Sequence, residues 1–377
     1  NKIIIFKVKA TSHKISIKKQ KLMQIKEKNC IFKLKLFAGG FFMKNKELKI
    51  AFYDACSYDK ESFSEENKNF LFNIDFFDFH LTEKTALTAS GYDIVCTFVN
   101  DTINRTVISI LKKCGVKMIA LRCAGFNNVD LEAAKEFGIK VARVPAYSPH
   151  SVAEHALSLL LSLTRKIPQA YLRTRSGNFT LNGLTGRDLC GLTAGIIGTG
   201  KIGKVMAECL SGIGMKIVMY DAYPDNDWAE KKGFTYIPLI ELFQKSDVIS
   251  LHCPLTDDTK HLVNEKSLSM MKNDAVIINT GRGALIDTHA LVKALKKRTI
   301  GGAALDVYEE ESRYFFADWS ADVIKDDMLA RLLTFPNVII TGHQAFLTKN
   351  ALKAIADTTL QNILDFTEGK ELKNEVK

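Results

Sequence analysis

Three side chains, each just past an apolar run, could act together on one small molecule: Arg282 after AVIINTG, Glu311 in GGAALDVYEEE five residues beyond Asp306, and His343 after NVIITG. A guanidinium fork can grip both oxygens of a carboxylate. An imidazole can give a proton to a carbonyl oxygen as negative charge develops there, and can take it back in the reverse direction. A neighbouring carboxylate would stabilise the charged imidazole. The set suits hydride reduction of a 2-keto acid, which presents one carboxylate and one carbonyl. His252, which ends DVISLH, is a rival acid-base group, although the CPLTDDT that follows reads more like a cofactor-side loop. His150, His155 and His261 stand in helical or loop contexts without a converging Arg and Glu, and are expected to be structural.

A hydride donor is suggested by LTAGIIGTGKIGKVMAECL, residues 192–210, which reads as a strand, a tight turn and a helix. Gly198 would make the turn, Gly200 would let backbone approach a pyrophosphate, and Gly203 would let the helix pack closely on the strand. The diphosphate would rest on the helix N-terminus, where the dipole and unpaired amides favour negative charge. The next apolar run, KIVMYD, ends at Asp221, about 20 residues on, where a carboxylate can accept from both ribose hydroxyls and repel a 2'-phosphate. The expected cofactor is therefore NAD.

These residues need strand ends to stand on. LKIAFYD, IDFFDF, DIVCTF, MIALR and KVARVP alternate with polar helical stretches before the glycine motif, and KIVMYD, DVISLH, AVIINT, GGAALDV and NVIIT do so after it. Such alternation predicts an α/β chain of two doubly wound parallel sheets, with ligands in the crevice at the carboxyl ends of the strands. Residues 148–166 read as a long helix buried between the two units, and ALKAIADTTLQNILDF as a last helix that could return to the first.

The formal charge of +10 is confined to residues 1–42, which hold 11 Lys against one acid, Glu27. The remainder is formally neutral, so no nucleic-acid partner is expected. The 1–42 leader has no apolar stretch long enough for a signal peptide or membrane span. It reads as non-native or disordered: Met43 opens a credible first strand, and Gly39–Phe42 could be a translated ribosome-binding site and spacer. Eight cysteines, at 30, 56, 96, 114, 123, 190, 209 and 253, form no CxxC pair, which suggests reduced thiols in a cytoplasm; no metal site is expected.

With GTGKIG, the segments RCAGFNNVDL, RVPAYSPHSVAEHAL, SDVISLHCPLT, INTGRGALID, LDVYEEE and TGHQAFLT make the chain resemble the D-isomer-specific 2-hydroxyacid dehydrogenases over about residues 46–375, and most closely their bacterial fermentative D-lactate branch. The resemblance implies that Arg282, Glu311 and His343 are catalytic. It also implies that Ala124 and Gly125 bind the substrate carboxylate through backbone amides, that Tyr147 contacts substrate, and that Phe346 shapes the pocket. For NAD it implies contacts from Gly198, Gly200, Lys201, Ile202, Gly203, Asp221, Cys253, Pro254, Thr280 and Asp306, with Asp306 facing the nicotinamide carboxamide.

The implied fold is a flavodoxin-like substrate domain, residues 43–146 and 345–377, with a Rossmann NAD domain inserted at 147–344. The implied reaction is pyruvate to D-lactate in a homodimer or homotetramer. Two rivals are a dehydrogenase of larger 2-hydroxy acids and a non-catalytic NAD-sensing protein of the same fold.

Overall fold

The central strands of the fold are short and buried at every residue, as strands covered by helices on either side must be. The computed structural model describes residues 48–376. The expected leader, and residues 43–47 of the expected substrate domain, lie outside these. Lys49–Lys377 forms one compact unit.

The first sheet is built from β1 (Lys49–Phe52), β2 (Asn73–Phe76), β3 (Ile94–Thr97), β4 (Met118–Leu121) and β5 (Lys140–Ala142). All neighbours pair parallel in the order β2-β1-β3-β4-β5, the flavodoxin-like winding. β3 and β4 are buried at every residue, whereas edge strand β2 alternates exposed and half-buried positions. The crossovers are α1 (Ser57–Glu66), α2 (Arg105–Cys114) and α3 (Leu131–Glu136). Asn104 and Asp130 cap α2 and α3 by accepting from the Val107 and Ala133 amides. Between β2 and β3 the expected helical segment is only a 3-10 turn, Ala86–Ala89.

A buried helix, α4 (Pro149–Thr164), then leads through α5 (Ile167–Arg175) into the second sheet. Ser148 caps α4 by accepting from the Ser151 amide, and Pro149 occupies its first turn, where a missing amide hydrogen costs nothing. The second sheet comprises β6 (Thr193–Ile197), β7 (Lys216–Tyr220), β8 (Thr235–Tyr236), β9 (Val248–Leu251), β10 (Val276–Asn279), β11 (Gly302–Leu305) and β12 (Val338–Ile340). Its order, β12-β11-β10-β9-β6-β7-β8 with every pair parallel, is the Rossmann winding plus one strand. Two-residue β8 has no counterpart in the sequence reading, because two residues carry no periodicity to detect. The helices of this half are α6 (Lys201–Gly212), α7 (Asn226–Lys232), α8 (Leu239–Lys245), α9 (Glu265–Met270), α10 (Thr288–Lys297) and α11 (Asp327–Thr334). One core packs each face of the sheet, one containing Leu160, Met206 and Ile278, the other Phe243, Ile277 and Leu291.

The last helix, α12 (Lys349–Thr367), returns to the first sheet and packs on α1 and β4. The residues after it close on β5: Val376 donates to the Val141 carbonyl at 2.9 Å, and Arg143 to that of Asn374 at 3.1 Å. The chain is thus α/β with two parallel sheets, the second entered and left between elements of the first. Among the described residues no helix is long and apolar enough to cross a membrane.

Candidate active site

Each catalytic candidate stands where a parallel strand of the second sheet ends. At the end of β10 the buried Asn279 side chain folds the chain over: its Nδ2 donates to the Arg282 carbonyl at 2.8 Å while its Oδ1 accepts from the Gly281 amide at 3.0 Å. Gly283 lets this turn lie directly on the exit of β11, since a Cβ there would stand 2.1 Å from the Tyr308 carbonyl. The turn projects Arg282, whose Nη1 donates to the Gly281 carbonyl at 2.8 Å. Its Nη2 lies 2.6 Å from where a Cβ on Gly125 would be, so the guanidinium sits against the RCAG loop of the first sheet.

At the end of β11 the chain turns at Asp306 and Tyr308. Glu311 Oε2 accepts from the Tyr308 amide at 2.9 Å, which aims Oε1 at His343 Nδ1, 2.8 Å away. His343, past the end of β12, takes a left-handed backbone conformation (φ +55°) and donates its amide to the Asp306 carbonyl at 2.7 Å. The Nδ1 contact leaves Nε2 as the outward nitrogen of the ring. Glu311 and His343 are therefore a hydrogen-bonded pair. His343 and Arg282 line one cavity of about 640 Å³, together with Ala124, Gly125, Tyr147 and Phe346 from the first half of the fold and the α12 approach.

Asp306 is fully buried, and its carboxylate is taken up by the loop that carries His343: it accepts from Thr341 Oγ1 at 2.6 Å and from the Gln344 and Ala345 amides at 2.9 and 2.8 Å. His155 Nε2, from α4, lies 3.3 Å from the same carboxylate. Burial alone would raise the Asp306 pKa, but these donors outweigh it and hold the carboxyl below its usual range. Burial pushes the Tyr147 hydroxyl up to about 12 despite the nearby Arg282 charge, so it remains a donor. His252 also lines the cavity, hydrogen-bonded to Ser250 Oγ at 2.8 Å, and burial lowers its pKa to about 4, so it is neutral near pH 7. That removes the rival as a loaded acid.

The glycine turn opens onto the same region: Gly200, Lys201 and Ile202 line a neighbouring cavity of about 270 Å³ shared with Ala124, Tyr147 and His252. Gly198 has φ +90°, and a Cβ on it would stand 2.4 Å from the Cys253 nitrogen; one on Gly203 would stand 1.9 Å from the Gly198 carbonyl oxygen. Gly203 thus packs on the turn itself. Gly200 faces open space, and no side chain caps α6. Asp221, at the end of β7, accepts from the Thr199 amide at 2.5 Å and its Oγ1 at 3.0 Å on one oxygen, and from the Tyr223 amide at 2.8 Å on the other. Cys253, Pro254 and Thr280 line the larger cavity, and burial pushes the Cys253 thiol up to about 11. Thr280 keeps a buried Oγ1 with no hydrogen-bond partner among the described residues. An uncapped helix start beside open space, a strand-end carboxylate and an unpartnered hydroxyl on the cavity wall fit a dinucleotide.

Two residues support the site from behind it. His155, expected to be structural, meets the loop around Asp306, and Arg122 has no place in the sequence reading. The signal for His155 lay in α4, where Ser151 and His155 are polar at a four-residue spacing on a mostly apolar helix: Ser151 Oγ bonds Thr348 Oγ1 at 2.7 Å and His155 Nε2 bonds Thr341 Oγ1 at 3.1 Å. Arg122, only 2% exposed, lies between the Phe52 and Phe98 rings at 4.5 and 4.7 Å and donates to the Asp54 carbonyl at 2.6 Å, anchoring the loop that leads to Gly125.

Comparison with known proteins agrees with this geometry. Residues 157–345 match the family profile described as D-isomer specific 2-hydroxyacid dehydrogenase, NAD binding domain. The chain is 54% identical over 329 residues to a D-lactate dehydrogenase of Escherichia coli, covering 87% of this chain and 100% of that one. The apo-structure of D-lactate dehydrogenase from Escherichia coli superposes with a TM-score of 0.81 at 52% identity, over 88% of this chain and 100% of that one. An aromatic 2-oxoacid reductase of Clostridium sporogenes is 44% identical over 329 residues, 87% of this chain and 99% of that one. The chain belongs to the D-isomer specific 2-hydroxyacid dehydrogenase family, as an NAD-dependent oxidoreductase.

Proposed function

We propose that the protein reversibly reduces pyruvate to D-lactate with NADH. The observation that carries this reading is the Glu311–His343 pair, 2.8 Å apart, on a cavity that Arg282 also enters. Arg282 and the backbone amides of Ala124 and Gly125 hold the substrate carboxylate, and the Tyr147 hydroxyl donates to substrate across the cavity. His343 gives the proton on Nε2 to the carbonyl oxygen, while Glu311 holds Nδ1 and stabilises the ring when it is charged. When bound, NADH supplies the hydride that adds to C2. Gly198, Gly200, Lys201, Ile202 and Gly203 would hold its pyrophosphate, Asp221 its ribose, and Cys253, Pro254 and Thr280 its nicotinamide side. Asp306 acts through the loop it holds, keeping His343 in its left-handed conformation. Similarity to the Escherichia coli D-lactate dehydrogenase supports the D product.

In this reading residues 43–146 and 345–377 form the substrate domain and 147–344 the NAD domain. Two or four copies associate through the exposed apolar residues on and after α5, namely Ile167, Tyr171, Leu172, Phe179 and Leu181; light scattering on the purified protein tests this. The described cysteines are all free, which favours a reducing cytoplasm. Steady-state rates across 2-oxo acids with NADH and NADPH, with chiral analysis of the product, test the reaction itself. No pyruvate-dependent NADH oxidation, or an L product, would overturn it.

A further inference from the structure

Phe316 lies in the long connection between β11 and β12 and takes a left-handed backbone conformation (φ +65°), which a bulky side chain rarely adopts. His343 is left-handed as well, and the two conformations bring the rings to a centroid separation of 5.7 Å at 40°. Phe316 also meets Phe98 edge-on, at 5.6 Å and 84°. Phe98 follows β3 in the first sheet and lines the cavity, whereas Phe316 is not among the lining residues. The connection that brings Glu311 to His343 thus also brings a ring behind the cavity wall, where the two halves of the fold meet.

The chemistry of the substrate says why that wall matters. C2 of a 2-oxo acid is trigonal: with its carboxylate on Arg282 and its oxygen toward His343, the third substituent points away from both. The cavity residues left to receive it include Phe98 and Phe346, whose rings lie 5.8 Å apart. Phe98 is 8% exposed and held by Phe346, by the Arg122 guanidinium 4.7 Å away, and by Phe316. Phe346 and Arg122 are themselves packed, Phe346 against Tyr147 and Tyr58 at 6.5 and 6.4 Å and Arg122 against Phe52. Phe316 comes from an irregular connection, so it is the member of this set whose replacement frees Phe98 with least damage to the sheets.

We propose that Phe316 is a specificity-determining residue: it backs Phe98 and so limits the third substituent of the substrate to a methyl-sized group. The inference rests on the 2-oxo acid reductase reading above and extends it to a residue that does not touch substrate. Removing the ring lets Phe98 swing outward and admits a branched or aromatic side chain. One methylene in an apolar pocket discriminates by about 10- to 200-fold, so the loss of a whole ring behind the wall should be easily read.

The test compares the parent with Phe316→Ala and Phe316→Leu for NADH-dependent reduction of pyruvate, 4-methyl-2-oxopentanoate and phenylpyruvate. The ratio of kcat/KM for either larger acid to that for pyruvate should rise at least about tenfold in Phe316→Ala and less in Phe316→Leu, with NADH affinity unchanged. If Phe316→Ala does not fold, Phe316→Leu and Phe98→Leu carry the same prediction. A ratio within twofold of the parent, including an equal fall on all three acids, overturns the proposal and leaves pyruvate reduction standing. A parent that fails to reduce pyruvate, or prefers a larger acid, overturns both.

Discussion

Gly125→Ala tests whether the two halves of the fold meet at the substrate carboxylate. The added Cβ would stand 2.6 Å from Arg282 Nη2, while ordinary contact begins at 3.4 Å, so the guanidinium must retreat by about 0.8 Å. Gly125 is not among the positive-φ glycines, so alanine brings no backbone strain. The far end of a flexible arginine can move at little cost in stability, but displacement of a group that aligns substrate by about 1 Å can cost about 100-fold in rate, or about 2.7 kcal/mol of transition-state stabilisation. Gly125→Ala should therefore lower kcat/KM for pyruvate by about 30- to 100-fold, with the melting temperature and NADH affinity close to the parent's. The assay is steady-state NADH oxidation, with NADH binding followed by fluorescence. A double-mutant cycle localises the effect: in an Arg282→Gln background, Gly125→Ala should add little, because the group it displaces is gone. A folded, NADH-binding Gly125→Ala variant within threefold of the parent would refute the reasoning, as would full additivity with Arg282→Gln.

Three further outcomes follow from the same geometry. Arg282→Gln removes the carboxylate fork and leaves the glycine turn intact, so kcat/KM for pyruvate should fall by at least about 1000-fold while NADH affinity changes less than about threefold; equal loss of both would count against the assignment. Asp221→Ala should lower the preference for NADH over NADPH by about tenfold or more, measured as a ratio of kcat/KM values, and an unmoved ratio would contradict the ribose role. His252 carries a pH signature: its pKa is about 4 in the fold against 6.5 in the unfolded chain. Above pH 6.5 the ring is neutral in both states; as pH falls toward 4 the unfolded chain takes up a proton that the fold refuses. Stability should therefore fall over that window by up to about 3 kcal/mol, less because the ring borders the cavity. His252→Gln should flatten this part of the urea-midpoint profile between pH 7 and 5, and an unchanged slope would sink the argument.

The amino-acid sequence by itself determined most of the strands, the glycine turn and which residues are candidates for the chemistry. Runs such as VIIN and GAAL are buried throughout because parallel strands are covered on both faces, and Gly198 and Gly203 are glycine because a Cβ would strike Cys253 in one case and the turn carbonyl in the other. Such constraints act over a few residues and leave a local pattern. The order of the strands, and with it the meeting of Arg282, Glu311 and His343, was decided by tertiary structure, since pairing between distant segments has no period to read. The same holds for Asp306: the family resemblance pointed it toward the cofactor, but only the folded chain brings Thr341, Gln344, Ala345 and His155 around its carboxylate. Phe316 was illegible for a like reason, because an aromatic in an irregular loop acquires its task only from the two rings, Phe98 and His343, that the folded halves bring against it.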